Sequence, residues 1–506
     1  MNKIKPDFIC LILVCSLLLI YLPILPTQLT SANHGVDGGD LLTAILTNGI
    51  PHPTGYPTYV LLGQIFQKIL IGTPYYRGAW ASLIPAALGV GLISLLVGKK
   101  VIENKKTALI CTLVTGVILG ASQIYWSQAV IVEVYGLQAF FVAVTLWWLA
   151  LLSSQGSSTQ VLSKKRFLQF CGLSLCVGLG IGNHITILLL APTCVYALII
   201  ARQTGLQFKY LGPQLMLILL GTLVYLYLPL QAKHFPPINW GNPQTLSGFI
   251  WLVSGRPYHD FVFRISSVEL IGRAGALARI LVDQFGFIGV LAGIIGAIQS
   301  PLPRRPLREI LIWVFGVYLI FSLVYPTNDS MVYLIPPFMI FAIWISLSID
   351  LVWDKKWNIW PWGKLIGISL FIYFAIRIPL TQSLVNPSKD NYAALYAENY
   401  LRSAPQDALL LTDSDQDSFP LWYYHFGLGW RPDIRVIVLP LTQYGWYQQT
   451  IQHTYPDLLI PPVHENISVD QSWGERFIQL NKKRSICYSK PDATSSFGIN
   501  TKCVVP

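Results

Sequence analysis

The chain has 506 residues, 53% hydrophobic and only 12% charged, with a formal net charge of +11 and a mean hydropathy of +0.52. Soluble globular chains carry about 25% charged residues. This balance therefore excludes a soluble enzyme, and recurring apolar runs near the length of a membrane crossing point to a polytopic membrane protein.

The first run, 8–29, is too long for a signal peptide and shows no small-residue cleavage site, so it is read as the first span. Ten more follow at 80–98, 107–124, 132–152, 167–182, 185–201, 210–230, 280–300, 310–325, 332–351 and 361–380. With the N-terminus cytoplasmic, Lys99, Lys100, Lys105, Lys106, Lys164, Lys165, Arg166, Arg304, Arg305, Lys355 and Lys356 all fall inside. That asymmetry follows the positive-inside rule and accounts for the basic charge without nucleic acid. The opposite face, periplasmic or lumenal, collects the loop 31–79, Glu133, the pair Asn183-His184, the segment 231–279 and Asp329. Uncommon polar residues from five loops on one side are what a site assembled at a membrane surface looks like.

Residues 31–79 form a polar island between two apolar runs. Asp37 and Asp40 sit three apart around Gly38 and Gly39. Asp40 precedes LLTAILTNG and suits either the cap of a short helix or a catalytic role. Asp37 has no capping role, and the glycines beside it let its carboxylate approach a ligand closely. A carboxylate within hydrogen-bond reach is what a base acting on a hydroxyl requires. The turn Ile50-Pro51-His52-Pro53-Thr54-Gly55-Tyr56-Pro57 is stiff, because three prolines fix φ. In it, His52 either touches a phosphate or hydrogen-bonds the turn, and Tyr56 is a candidate substrate contact. The stretches 40–48 and 58–70 are too short to span and are expected in the interface.

Further along, SQAVIVEVY, from Ser127 to Tyr135, opens the fourth span. Glu133 is an acid at the membrane boundary, hence a functional candidate or a helix-start glutamate. Tyr135 follows as a candidate contact. The glycines of GLGIGNH, 178–184, do not make a dinucleotide fingerprint and suit close helix packing. Asn183 and His184 behind them are candidate contacts. In 231–279, Trp240 offers an aromatic face to a sugar, and Arg256 and Arg273 offer guanidinium groups to phosphate. For either arginine the alternative is a solvated loop charge. Asp329 is another outer acid, a contact or a helix cap.

The tail, 381–506, changes character. A helix over 391–402 and strands at 408–412 and 435–439 predict a small α/β domain. TDSDQDS, 412–418, lacks the glycine and glutamate of a calcium loop and reads as a solvated acidic turn. Asn466-Ile467-Ser468 is a glycosylation sequon. Of eight cysteines, six lie in apolar runs at no metal-ligand spacing, whereas Cys487 and Cys503 are placed to pair in an oxidising space. No HExxH, P-loop or GxSxG is present, which weighs against zincins, nucleotide hydrolases and α/β-hydrolases.

The series DGGDLLTA, GIPHPTGYPTYVLLG, WSQAVIVEVYGL, GLGIGNHIT and YLYLPL…INWGNP resembles the GT-C membrane glycosyltransferases. Within them it is similar to a branch that includes an animal protein O-mannosyltransferase. The resemblance runs through about residues 10–340. It implies a polyprenyl-phosphate sugar donor and a base in the first outer loop, where Asp37 matches and Asp40 stands beside it. A relative's arginine after YLYLPL is here Gln231, so Arg256 or Arg273 is expected to take its place.

The expected architecture is mainly α: a GT-C-like bundle of about eleven spans over 1–380, and a small extracytoplasmic α/β domain over 381–506. The expected function is inverting sugar transfer, of a hexose such as mannose, from a lipid-linked donor to a protein or glycan hydroxyl, with membrane lipid around it and no nucleic-acid partner. No cofactor is required by the residues, and a divalent cation is left open. The alternatives are a lipid-linked-sugar or solute transporter, which would place ionisable groups mid-span, and a scaffold acting through its tail.

Overall fold

The structure, a computed structural model, describes residues 5–153, 163–203, 206–262, 264–299, 305–327, 329–354, 362–489 and 502–504. Arg304, Lys355 and Lys356 lie outside them. Among the described residues nine helices are long and apolar enough to cross a membrane, and ten with one bent pair. The chain is thus an integral, multi-pass membrane protein. The remaining expected segment, 167–182, is a helix, Lys164–Ile181, that opens on Lys164, Lys165 and Arg166 and does not meet that test.

Three crossings are central: Ile335–Trp353, Val134–Ser153 and Pro74–Leu96 are apolar all round and largely enclosed. Pro6–Tyr21, Arg305–Val324 and Trp362–Val385 leave many apolar side chains exposed, as lipid-facing helices do. Lys164–Ile181 packs on Phe208–Thr222 through small residues. A Cβ on Gly178 would fall 2.1 Å from the Ile218 carbonyl oxygen, so only glycine permits this approach.

One expected span is broken. Ala108–Gly120 turns by 70° into Gln123–Ala129. The amide oxygen of Gln284 accepts from Ser122 Oγ at 2.7 Å and Ile124 N at 3.0 Å, satisfying donors exposed by the break. As a result the next crossing begins at Val134, not within Ser127–Glu133, and residues 130–133 run outside any helix.

Helices Gly38–Thr47 and Pro57–Ile69 are too short to span, as their lengths require. Towards the C-terminus, helices Tyr392–Ser403 and Asp415–Trp422 accompany a four-stranded sheet. Its strands are β1 (Leu409–Thr412), β2 (Arg435–Val438), β3 (Ile486–Tyr488) and β4 (Lys502–Val504), in the order β2-β1-β3-β4. β1 runs parallel to β2 and β3, and β3 pairs antiparallel with β4, where Cys487 opposes Cys503 in a disulfide. Asp415–Trp422 lies directly on Gly38–Thr47. A Cβ on Gly39 would meet the Phe419 carbonyl oxygen at 2.4 Å.

Candidate active site

The first loop approaches its helix through an unusual backbone. Asn33 and His34 both have left-handed φ, 60° and 62°. Their conformation is held from outside the loop. Asp390 Oδ2 accepts from Thr30 Oγ1 at 2.5 Å, Ser31 N at 2.7 Å and Ala32 N at 2.8 Å. Asn33 Nδ2 donates to the Val385 carbonyl at 2.7 Å, and Gln128 Nε2 donates to the Asn33 carbonyl at 3.0 Å.

Asp37 occupies the N-cap position of Gly38–Thr47 but makes no capping bond with its side chain. Its carboxylate faces a cavity of 410 Å³ and keeps 37% of its surface open there. Asp40, one turn on, has no open surface. Its Oδ2 accepts from His52 N at 2.9 Å and His52 Nδ1 at 2.7 Å, and its Oδ1 accepts from Trp240 Nε1 at 3.1 Å. Asp40 therefore does not cap the helix, nor does it line the cavity. It orients a histidine and a tryptophan.

The other face of the His52 ring looks into the cavity. His52 Nε2 lies 3.7 Å from Asp37 Oδ2 and 3.2 Å from Tyr56 Oη, whose own proton goes to the Pro53 carbonyl at 2.8 Å. Both ring nitrogens thus meet acceptors, the arrangement an imidazolium needs. Burial works against that charge, but Asp37 and Asp40 outweigh it and raise His52 to about 9. Asp37 is pushed up to about 6 by burial, with His52 pulling it down and Asp415, Asp329 and Asp40 adding to the rise.

Glu133, Tyr135, His184, Trp240 and Asp329 line the same cavity. Glu133 Oε2 accepts from Val134 N at 3.1 Å, as a helix-start acid does, and burial together with Asp37 raises its carboxyl well above the usual range. His184 Nδ1 accepts from Thr186 N at 3.2 Å, so the proton of a neutral ring sits on Nε2. Burial and then His52 lower it to about 3. Its ring stands 5.8 Å from Tyr56, 5.7 Å from Tyr135 and 5.9 Å from Tyr333, giving an aromatic wall. Asp329 starts the turn Ser330–Leu334 without capping it through its side chain.

Three expected contacts lie elsewhere. Asn183 is fully buried and donates to the Val134 carbonyl and Gln138 Oε1, both at 3.2 Å. Arg256 is exposed and pairs with His259 at 3.4 Å. Arg273 spends its guanidinium on the carbonyls of Ser322, Leu323 and Tyr325 and on Ser330 Oγ, closing the C-terminus of Arg305–Val324. No lysine or arginine lines the cavity among the described residues. Among the described residues no group of three or more His, Cys, Asp or Glu is placed to hold a metal ion.

The tail supplies residues that local sequence does not flag. Asp415, Gln416 and Phe419 line the cavity, and the Phe419 ring stacks on His52 at 6.1 Å. TDSDQDS is thus not simply a solvated turn. Ser414 and Asp417 form a capping box, and Asp417 is fully buried against Ser489. The signal that could have found this helix is Ser-x-x-Asp ahead of Phe-Pro-Leu-Trp. Tyr258, Tyr325 and Tyr333 also line the cavity without a motif to mark them. The sequon is closed off: Asn466 Nδ2 donates to the carbonyls of Gly241 and Asn242 and to Thr245 Oγ1, at 2.9 to 3.2 Å.

Residues 37–207 match the family described as protein O-mannosyl-transferase TMEM260 N-terminal domain, and 393–482 match TMEM260-associated domain 2. The chain is 26% identical over 455 residues to protein O-mannosyl-transferase TMEM260 of Mus musculus, covering 84% of this chain and 62% of that one. To the Dictyostelium discoideum protein of the same description it is 23% identical over 478 residues, covering 84% and 56%. The chain thus spans about 60% of the length of these curated relatives. Among solved structures it resembles ArnT from Cupriavidus metallidurans bound to undecaprenyl phosphate, with TM-score 0.56, 13% identity and coverage of 91% and 97%. It also resembles the apo oligosaccharyltransferase of Archaeoglobus fulgidus, with TM-score 0.55, 13% identity and coverage of 95% and 69%. At that identity the likeness is one of fold. The first matched segment opens on Asp37 and the second runs through Asp415–Trp422, the two elements that meet over the cavity, so the chain is similar to the TMEM260 proteins in both matched segments and shares its fold with these membrane proteins.

Proposed function

We propose that this chain transfers a sugar, a hexose such as mannose, from a polyprenyl-phosphate donor to a protein hydroxyl, with inversion at the anomeric carbon. The observation that carries this reading is the pairing of Asp37, open to the cavity, with a His52 ring fixed from behind by Asp40. Asp37 takes the proton of the acceptor hydroxyl. The hydroxyl oxygen attacks the anomeric carbon from the side opposite the phosphate, and the carbon–oxygen bond to phosphate breaks with its electron pair leaving on the phosphate. A base near 6 is ionised at neutral pH and still able to accept a proton. The His52 cation is the positive group facing the developing phosphate charge, while Glu133 and the neutral His184 hydrogen-bond sugar oxygens.

The names of the mouse and D. discoideum relatives favour a protein acceptor over a glycan, and the undecaprenyl phosphate bound to ArnT favours a polyprenyl carrier. A lysine- and arginine-rich opposite face and the Cys487–Cys503 disulfide support an extracytoplasmic cavity with a cytoplasmic N-terminus. The test is transfer of labelled mannose from polyprenyl phosphate to a serine/threonine peptide by the protein in nanodiscs. Asp37→Asn is expected to cut kcat/KM by roughly 10²–10⁴-fold with an unchanged melting temperature. Transfer at the wild-type rate by that variant, or retained configuration in the product by NMR, would remove this mechanism.

A further inference from the structure

A second chamber of 590 Å³ lies across the first loop from the reaction cavity. The two share His34, Val36 and Gln416, which stand at their junction. Its walls come from the loop itself, from Gln123–Ala129 beyond the 70° break, and from helices Tyr392–Ser403 and Asp415–Trp422. The two chambers differ in chemistry. Four carboxylic acids face the reaction cavity: Asp37, Glu133, Asp329 and Asp415. Among the described residues no acid, lysine or arginine lines the second chamber.

We propose that the second chamber is the acceptor site, and that it holds an uncharged, extended stretch of polypeptide whose serine or threonine side chain reaches Asp37 past His34 and Gln416. This rests on the sugar-transfer reading above. A donor phosphate calls for a cationic side chain; the reaction cavity has the His52 imidazolium, and among the described residues this chamber has no lysine or arginine to offer. Its amide and hydroxyl side chains, such as Asn33, Gln123 and Ser127, carry the donors and acceptors that backbone peptide groups require. Leu29, Ile124 and Met331 beside them suit small apolar side chains. A glycan would call for aromatic faces. Those crowd the reaction cavity, where Tyr56, Tyr135, Tyr258 and Trp240 stand, whereas the second chamber has Tyr392 alone among its described residues. The volume lies within the usual 300–1,000 Å³ of a ligand site. The four acids beyond the junction add a selection rule, since an aspartate or glutamate beside the acceptor hydroxyl would be driven against like charge.

Two measurements test this on the full chain in nanodiscs, with a serine/threonine peptide flanked by alanine and valine as the probe. Ala393→Leu, which narrows the chamber, is expected to raise the peptide KM at least tenfold while the KM for polyprenyl-phosphate mannose stays within twofold. A cysteine introduced by Gln123→Cys is expected to react with maleimide several-fold more slowly when the peptide is present, read at that position by mass spectrometry. Replacing the alanines by aspartates should lower kcat/KM at least tenfold. An unchanged peptide KM, a shift in the donor KM instead, or protection of position 123 by a soluble oligosaccharide but not by peptide would overturn the proposal. Absence of any sugar transfer by the wild type would count against the transferase reading, while the protection measurement would still report whether peptide occupies the chamber.

Discussion

At the scale of single residues, the two aspartates of DGGD are divided by their partners. Asp40 is turned inward and both its oxygens are taken, so its charge serves the imidazole of His52. Asp37 is turned outward and meets the same imidazole from the cavity side. The pH dependence follows from this chain. In the proposed mechanism Asp37 acts ionised, so kcat/KM should fall as pH drops through about 6. The same mechanism uses His52 as a cation, so the rate should fall as pH rises through about 9. Asp40→Asn removes one of the two anions that hold the imidazole proton, and the alkaline limb should move to lower pH. A pH–rate profile of the two proteins checks this, and an alkaline limb that does not move would break the link between Asp40 and His52.

Elements set where Asp37 stands. The loop ahead of it carries two non-glycine residues in the left-handed region, each of which costs energy that its surroundings must offset. Asp390, five residues beyond helix Trp362–Val385, supplies much of that support by accepting from the backbone of Ser31 and Ala32 and from Thr30. Asp390→Ala would leave these donors without their acceptor, at about 1–3 kcal/mol. The expected result is a fall in kcat of tenfold or more with a smaller change in donor KM, and faster hydrogen exchange confined to residues 30–37. Exchange raised across the whole molecule would instead mark a general loss of fold. The broken span works to the same end from the other side, because Gln123–Ala129, redirected by Gln284, brings Gln128 under Asn33.

For the molecule as a whole, the cavity is closed by segments far apart in the chain. Phe419 covers His52, and Asp415 adds a fourth acid, although both follow the last crossing. The contact between the loop helix and the tail is tight at one point, the absent side chain of Gly39. A methyl group there would sit 2.4 Å from the Phe419 carbonyl oxygen. Gly39→Ala should therefore destabilise the protein by about 1–3 kcal/mol through overpacking and lower activity as the tail shifts from the cavity. Gly172→Ala, where nothing lies within 4 Å, is the control and should leave both melting temperature and activity near wild type. Equal behaviour of the two variants in thermal unfolding would show that the tail is not seated as tightly as this contact requires.

Much of the architecture is legible in the sequence because its causes are local. Run length and apolar content mark the crossings, proline and glycine mark the first turn, and short apolar runs mark β1 and β2. Asp37, His52 and Tyr56 are also legible as a group, since they lie within twenty residues of one another. What local pattern could not supply is which polar group faces the cavity. Asp40 and Asp37 have nearly the same neighbours in sequence, and Trp240 and Phe419, some 200 and 380 residues away, decide their surroundings. Arg273 looks like a phosphate ligand until helix Arg305–Val324 ends beside it and takes its donors. Composition and hydropathy alone determined that this chain lives in a membrane, because burial in lipid acts on every residue by itself. The tertiary structure decided which acids are open and which are spent, because a hydrogen bond needs a partner at a particular place and only the folded chain brings that partner there.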